Sequence, residues 1–259
     1  MKRGYNFVSF EGPGQPTVRR QQNIGFIADW WTATTPVVDY IASRADVDMD
    51  RIALTGLSFG GTLAPRAAAY EKRINAVLAI DGLYSLLEAL EQQIPAQLVQ
   101  LYKSNRTTLF DEYMLSIAHN ASYPSEFRWF IDQGLFAFNT QSAIEWWKKL
   151  ESITMGPEIV GNLSGVPVFV AKGENDKITL NEADKAYELL VSGRPDGEAL
   201  TTFHLFETAL GAGEHCALGA EAEQVRVMLQ WLDGVFENIT GVEGTLNRES
   251  RQSPTHAET

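Results

Sequence analysis

The stretch ALTGLSFGGTLAPRAAAYEKR, residues 53–73, constrains the fold more than any other part of the chain. A short apolar run at 51–55 is long enough for a buried strand, and Gly56 ends it. Gly60 and Gly61 follow Ser58, and from Thr62 onward Ala and Leu recur at helical spacing. The reading is strand, sharp turn, helix. Gly56-Leu57-Ser58-Phe59-Gly60 matches G-x-S-x-G, the turn in which a serine takes a strained conformation and lifts its hydroxyl clear of the sheet. Glycine is expected on both sides because a Cβ there would meet the neighbouring backbone. The helix that follows directs free N–H groups and partial positive charge at the serine. The plainer alternative is a Gly-rich turn that only joins a strand to a helix.

A hydroxyl nucleophile needs a base, and the base needs an orienting acid. The chain has four histidines. His119 is far from any strand pattern, His204 lies within the strand pattern TTFHLF, and His256 is near the C-terminus. His215 sits in the Gly-rich loop ALGAGEHCALGA, after one expected strand and before an expected helix, where a catalytic histidine belongs. Otherwise it is a loop residue capping the next helix. For the acid, the buried strand expected at 166–172 leads into the turn Gly173-Glu174-Asn175-Asp176. Asp176 is favoured because a short side chain fixes its carboxylate. Glu174 is the fallback, and ordinary turn chemistry accounts for either. The chain order Ser58, Asp176, His215 is that of the α/β-hydrolases. Ser58 Oγ is expected within hydrogen-bond reach of His215, and Asp176 at the other ring nitrogen.

Four segments together, RGYNFVSFEGPGQP, VDMDRIALTGLSFGGTLAPRAAAYEKRINAVLAIDGL, KGENDKI and GAGEHCALGA, resemble one group of α/β-hydrolases. That group contains bacterial 2,6-dihydropseudooxynicotine hydrolase, FrsA-like proteins and the fungal yellowish-green polyketide-shortening hydrolases. The likeness runs from about residue 3 to about residue 236. It implies Ser58 as nucleophile, Asp176 as acid and His215 as base. It also implies that the bond cut is an ester or a carbon–carbon bond next to a ketone. In the elbow the Phe59 N–H supplies one oxyanion contact.

By the same resemblance, residues 5–10 match the fourth strand of the usual eight. The preceding strands, and the loop giving the second oxyanion donor, would lie before Met1. Gly12-Pro13-Gly14 follows the wrong strand to replace that loop. The expectation is a sheet with a gap or an unnatural pairing beside the nucleophile strand, exposed edges, and weak activity or none for this chain alone.

Composition fits a globular enzyme with one sizeable core: 259 residues, 44% hydrophobic and 21% charged. A net charge of −12, from 33 acidic and 21 basic residues, argues against nucleic acid or an anionic membrane as partner. A small-molecule substrate is expected, and a homodimer is compatible with the sequence. Cys216, the single cysteine, excludes an internal disulfide framework and reads as a small buried residue. No apolar run has the length of a membrane span and no signal-type core follows Met1, so the expected location is cytoplasmic. The Asn-x-Ser/Thr sequences at Asn105, Asn120, Asn162 and Asn238 are then read as chance. No His, Cys or carboxylate grouping has metal-ligand spacing, so neither metal nor cofactor is expected.

Strands are expected at 5–10, 51–55, 76–81, 166–172 and 201–206, and helices at 29–43, from about 181, and at 221–238. The alternation implies an α/β fold: a mostly parallel sheet covered by helices on both faces. Residues 1–82 form the first part of the core and 162–240 the second, and 241–259 lack periodicity and read as a disordered tail. Between them, 83–161 lack strand signals and carry Phe127, Trp129, Phe130, Phe136, Phe138, Trp146 and Trp147. This reads as a helical cap over the serine, with most of its aromatics packing the cap and one to three facing substrate. The reading from a different class is a non-catalytic binding module that keeps the pocket.

Overall fold

The computed structural model describes residues 4–249, with side chains described through 237. Helices α1 (Pro16–Gln22) and α2 (Trp31–Ala42) precede strand β1 (Ala53–Leu57). Helix α3 (Gly60–Tyr70) leads to β2 (Ala76–Ile80). Six helices then intervene: α4 (Leu86–Glu91), α5 (Ala96–Lys103), α6 (Thr107–Ala118), α7 (Ser125–Ala137), α8 (Ala143–Glu151) and α9 (Pro157–Asn162). Strand β3 (Val168–Gly173), helices α10 (Glu182–Ser192) and α11 (Gly197–Leu200), strand β4 (Thr201–Phe206) and helix α12 (Glu221–Glu249) complete the chain.

The four strands lie side by side in chain order, β1-β2-β3-β4, all parallel. β2 is buried at every position and β3 at all but Lys172, as expected of central strands covered on both faces. Alternate residues face opposite cores. Val77, Val168 and Val170 pack with Ala64, Ala68, Val160 and Leu190, from α3, α9 and α10. Ala76, Leu78, Ile80 and Phe169 pack with Val227, Leu232 and Phe236 of α12. A third core fills the interval between β2 and β3, where Phe110, Met114, Ile131, Trp146, Trp147 and Leu150 meet Leu63 and Ala67 of α3.

Two expectations need correction. Residues 5–10 form no strand: they run as irregular extended chain, with Phe7 81% exposed. A strand needs a ladder partner, and a segment rich in aromatic and β-branched residues does not supply one. Tyr5 instead donates its hydroxyl to Asp233 and packs on Phe236 of α12. Second, α12 continues to Glu249, through Gly241 and nine residues of the expected tail. Extending a formed helix costs little, so weak periodicity alone does not stop it. Residues 250–259 of that tail, His256 included, and Met1–Arg3 lie outside the described residues. Among the described residues, no helix is long and apolar enough to cross a membrane.

Candidate active site

Ser58 follows the last residue of β1 with φ at 55°, in the left-handed region that a non-glycine residue enters only under constraint. Its N–H donates to the Ile80 carbonyl at 2.8 Å, which anchors the turn to the end of β2. The glycines of the motif differ in role. A Cβ on Gly56 would lie 1.9 Å from the Gly60 carbonyl oxygen, and one on Gly61 would lie 2.5 Å from Gly82 Cα. A Cβ on Gly60 would meet nothing within 4 Å, contrary to the expectation of a clash on both sides. Phe59 is the N-cap of α3, and no side chain caps that end. The first-turn N–H groups therefore keep their partial positive charge beside the serine.

The other two residues sit on the loops after β3 and β4. Asp176 is buried; its Oδ1 accepts from the Ile178 and Thr179 N–H groups, and its Oδ2 from the Thr179 hydroxyl. The same Oδ2 lies 3.1 Å from His215 Nδ1. The two loops are joined directly: Glu174 N–H donates to the Phe206 carbonyl at 2.9 Å and Asn175 N–H to the Gly213 carbonyl at 2.7 Å. This closeness needs a residue without Cβ at 173, where one would stand 2.5 Å from the Glu214 carbonyl oxygen. Glu174, the fallback acid, is exposed and accepts from Thr208 N–H, away from His215. His119 is exposed at the end of α6, and His204 stacks on Phe169 in β4. Neither competes for the role of base.

The electrostatics of the pair follow from this packing. Burial opposes the Asp176 charge, but the bonds from His215, Thr179 and Ile178 outweigh it and hold the carboxyl well below the usual range. Burial likewise opposes the His215 charge, and the bonds to Asp176 and to the Cys216 thiol outweigh it and push the imidazole up. An imidazole so placed accepts a proton readily at its other nitrogen. Ser58 Oγ makes no hydrogen bond to His215 among the described residues, whose ring is held through Nδ1. The Ser58–His215 contact expected from the sequence is therefore not formed in this structure; the Ile80 carbonyl that accepts from the Ser58 N–H lies 3.8 Å from Sγ of Cys216, the residue after His215.

Asp81, the residue after β2, carries no role in the sequence-based reading. It is fully buried, has φ at 46°, and accepts from Gly173 N–H at 2.9 Å and from Cys216 N–H at 2.5 Å. Asp81, His215 and Cys216 bring potential ligand atoms within 4.8 Å of one another, a grouping that linear spacing did not reveal. Both Asp81 oxygens and His215 Nδ1 are already engaged by protein groups, so the donor set is poorly disposed to a cation.

Beside Ser58, the rings of Phe59, Phe26 and Phe138 form an aromatic cluster, with centroids 5.0 Å apart for Phe26–Phe59 and 6.2 Å for Phe59–Phe138. Phe138 is the one cap aromatic so placed among those singled out in the sequence. Trp146 and Trp147 are buried in the cap's own core, and Trp129 is 64% exposed. Phe26 gave no signal, because it lies in a loop before α2. A cavity of about 1080 Å³ lies between α4, α5 and α8, lined in part by Leu87, Val99, Tyr102, Lys148 and Glu151. Ser58, Asp176 and His215 are not among its walls.

β1 is an edge strand. Thr55 and Leu57 are exposed, and on its outer side no strand pairs with it among the described residues.

Comparison with known proteins bears on the fold. Residues 21–91 match the family described as acetyl xylan esterase (AXE1). The chain is 28% identical over 248 residues to the alpha/beta hydrolase psoB of Aspergillus fumigatus, covering 90% of this chain and 54% of that one. It is 27% identical over 253 residues to the 20-hydroxy-prefusarin hydrolase FUS2 of Gibberella moniliformis, covering 91% and 56%. The chain thus spans about half the length of these curated relatives. Among solved structures, 2,6-dihydroxy-pseudo-oxynicotine hydrolase superposes with a TM-score of 0.58 at 17% identity, over 88% of this chain and 51% of that one. The parallel sheet and these likenesses agree: this chain has the α/β-hydrolase fold and is similar in sequence to hydrolases of that fold.

Proposed function

We propose that this chain carries the chemical centre of a serine-dependent hydrolase, with Ser58 as nucleophile, His215 as general base and Asp176 as orienting acid. The observation that carries the reading is the Asp176–His215 hydrogen bond at the same sheet edge as the left-handed Ser58. Ser58 Oγ bonds to a substrate carbonyl carbon while its proton passes to His215 Nε2. Asp176 holds Nδ1–H and stabilises the imidazolium. The oxyanion takes the Phe59 N–H. The bond to the leaving group then breaks, His215 protonates that group, and an acyl-Ser58 remains. Water adds to the acyl carbon, giving its proton to His215; the acyl carbon–Oγ bond then breaks, the His215 proton returns to Ser58 Oγ, and a carboxylic acid leaves.

The leaving group is an alkoxide from an ester or an enolate from a carbon–carbon bond next to a ketone. A Ser–His pair can expel either, because the His215 imidazolium gives its proton to the alkoxide or to the enolate as the bond breaks, so that a neutral alcohol or ketone departs. The aromatic cluster of Phe26, Phe59 and Phe138 favours a flat, apolar acyl portion. The names of the relatives, a prefusarin hydrolase and a pseudo-oxynicotine hydrolase, support a ketone-bearing small molecule as the substrate class.

The test is fluorophosphonate labelling followed by a screen of aryl esters and 1,3-diketones. Labelling at Ser58 that vanishes in Ser58→Ala and His215→Ala supports the reading. Folded protein that resists the label at all concentrations leaves the binding module in its place.

A further inference from the structure

Asp81 is the buried titratable group that the proposed chemistry does not use. It stands at the C-terminal end of β2, between the nucleophile strand and the strand that bears the acid. Its two oxygens hold two different loops. Oδ1 accepts from Gly173, the last residue of β3 before the Asp176 turn, and Oδ2 from Cys216, the residue after His215. The Cys216 end is itself unusual. Cys216 and Ala217 both have positive φ, at 54° and 48°, so His215 precedes a tight left-handed turn that needs external support. Gln224 of α12 donates to the Cys216 carbonyl at 2.7 Å from the other side.

We propose that Asp81 is a positioning residue: its carboxylate fixes the His215 loop against the Asp176 loop at the end of β2, and so sets where the imidazole stands relative to Ser58. This rests on the assignment of His215 as base. A carboxylate suits the place because it is acceptor-only, with an oxygen for each N–H. The corresponding amide has one acceptor, and its NH₂ would face the second N–H. Asparagine therefore keeps the volume and loses one tie, whereas alanine loses both.

The same geometry makes the device sensitive to protonation. The charged or titratable groups that face Asp81 are Asp176 from the loop after β3, and His215 and Cys216 from the loop after β4. Burial pushes the Asp81 carboxyl up, to about 6, against the two backbone hydrogen bonds that lower it; Asp176 adds to the rise and His215 opposes it. Below that pH a proton occupies one oxygen and competes with the N–H it accepts.

Asp81→Asn and Asp81→Ala in the full chain test this, with two readouts. The first is the rate of fluorophosphonate labelling at Ser58, resolved into maximal rate and half-saturating concentration. The second is the proton resonance of His215 Nδ1–H, which its bond to Asp176 shifts downfield and protects from exchange. The expected result is a maximal labelling rate reduced about tenfold to a hundredfold, the scale of an ångström-sized misplacement. Half-saturation should change little, and the Nδ1–H resonance should broaden or exchange faster. Alanine should exceed asparagine in both. Labelling within about twofold of the parent in both variants, with an unchanged resonance, overturns the proposal while leaving the triad intact. If the parent itself does not label, the triad reading fails, and the resonance and its change in the variants still decide the role of Asp81. If neither variant folds, the parent decides alone. Its Cys216 amide proton should be strongly protected and titrate with the Asp81 carboxyl; an unprotected Cys216 amide in folded protein overturns the proposal.

Discussion

The loops that carry Asp176 and His215 and the turn that carries Ser58 are built differently, although all follow the C-terminal ends of strands in one sheet. Asp176 and His215 sit on loops joined to each other by two backbone hydrogen bonds and to β2 by the Asp81 carboxylate. Ser58 sits on an edge strand, with exposed Thr55 and Leu57, and its turn is tied to the sheet through one backbone bond to Ile80. The Asp176 and His215 loops are thus tied to each other and to β2, whereas the strand that leads to Ser58 pairs on one side only among the described residues. The difference teaches that preorganisation in this chain is uneven: the imidazole is aimed by a network, while the hydroxyl depends on local backbone strain and the start of α3.

The largest expected effect breaks both halves alike. Ser58→Ala and His215→Ala should each reduce turnover of a responsive aryl ester by about 10⁴-fold or more, and the double variant should fall little further, because the two groups act as one unit. Additive losses in the double variant, measured as kcat/KM, would show that the two residues do not share a step.

Glycine substitutions separate the halves by stability. Gly56→Ala places a Cβ 1.9 Å from the Gly60 carbonyl oxygen, and Gly173→Ala places one 2.5 Å from the Glu214 carbonyl oxygen. Both obstacles are backbone, so each variant should lose about 1–3 kcal/mol or more by urea unfolding. Gly60→Ala meets open space in a helical turn and should be neutral or stabilising by up to about 1 kcal/mol. The sequence motif treats Gly56 and Gly60 alike. Equal losses at both would mean that the turn does not have this geometry.

Two buried carboxylates on the orienting side should show opposite pH dependence. The Asp176 carboxyl is held low, so its contribution to stability is present at neutral pH and is lost as pH falls below ~4 toward its folded value. The Asp81 carboxyl is raised to about 6, so the folded state keeps a proton that the unfolded chain releases near pH ~4. Its contribution therefore favours folding in acid and weakens as pH rises between those values. In urea midpoints measured across pH, Asp81→Asn should differ from the parent in slope between pH ~4 and ~6, and Asp176→Asn below ~4. The same slope change in both variants would mean that the two groups titrate as one.

What could be read from the sequence was what is local. The strand–turn–helix around Ser58 announces itself in five residues, and the Asp176–His215 contact is anticipated by asking which acid and which histidine lie in loops that follow strands. The role of Asp81 is invisible at that level, because its partners are 92 and 135 residues away and only folding brings them together. Phe26 is hidden for the same reason, reaching Phe59 and Phe138 from a loop. The strand expected at 5–10 shows the converse error. Its apolar, strand-forming residues are real, but a strand is a property of two segments, and its own composition does not supply the second. Helix α12 passes the point where its periodicity fades, since elongation asks less of the sequence than initiation.

The smallest effect concerns the open side of β1. An edge strand offers unpaired N–H and C=O groups to any extended segment, and Thr55 and Leu57 add no charge to deter one. This chain should therefore associate with itself as concentration rises, through pairing of β1 edges from two copies. Thr55→Lys places a charge at an exposed position on that strand, where substitution should change stability by no more than about 0.5 kcal/mol. Light scattering at increasing concentration should show association in the parent and less of it in the variant, with equal urea midpoints. Placing the same charge at exposed Tyr113, on helix α6, should leave association unchanged, so the pair of variants separates pairing at the edge from a general effect of net charge. Equal suppression by both would place the cause in charge alone, and the contrast between the two sides of the site would then rest on their internal hydrogen bonds and not on the exposure of β1.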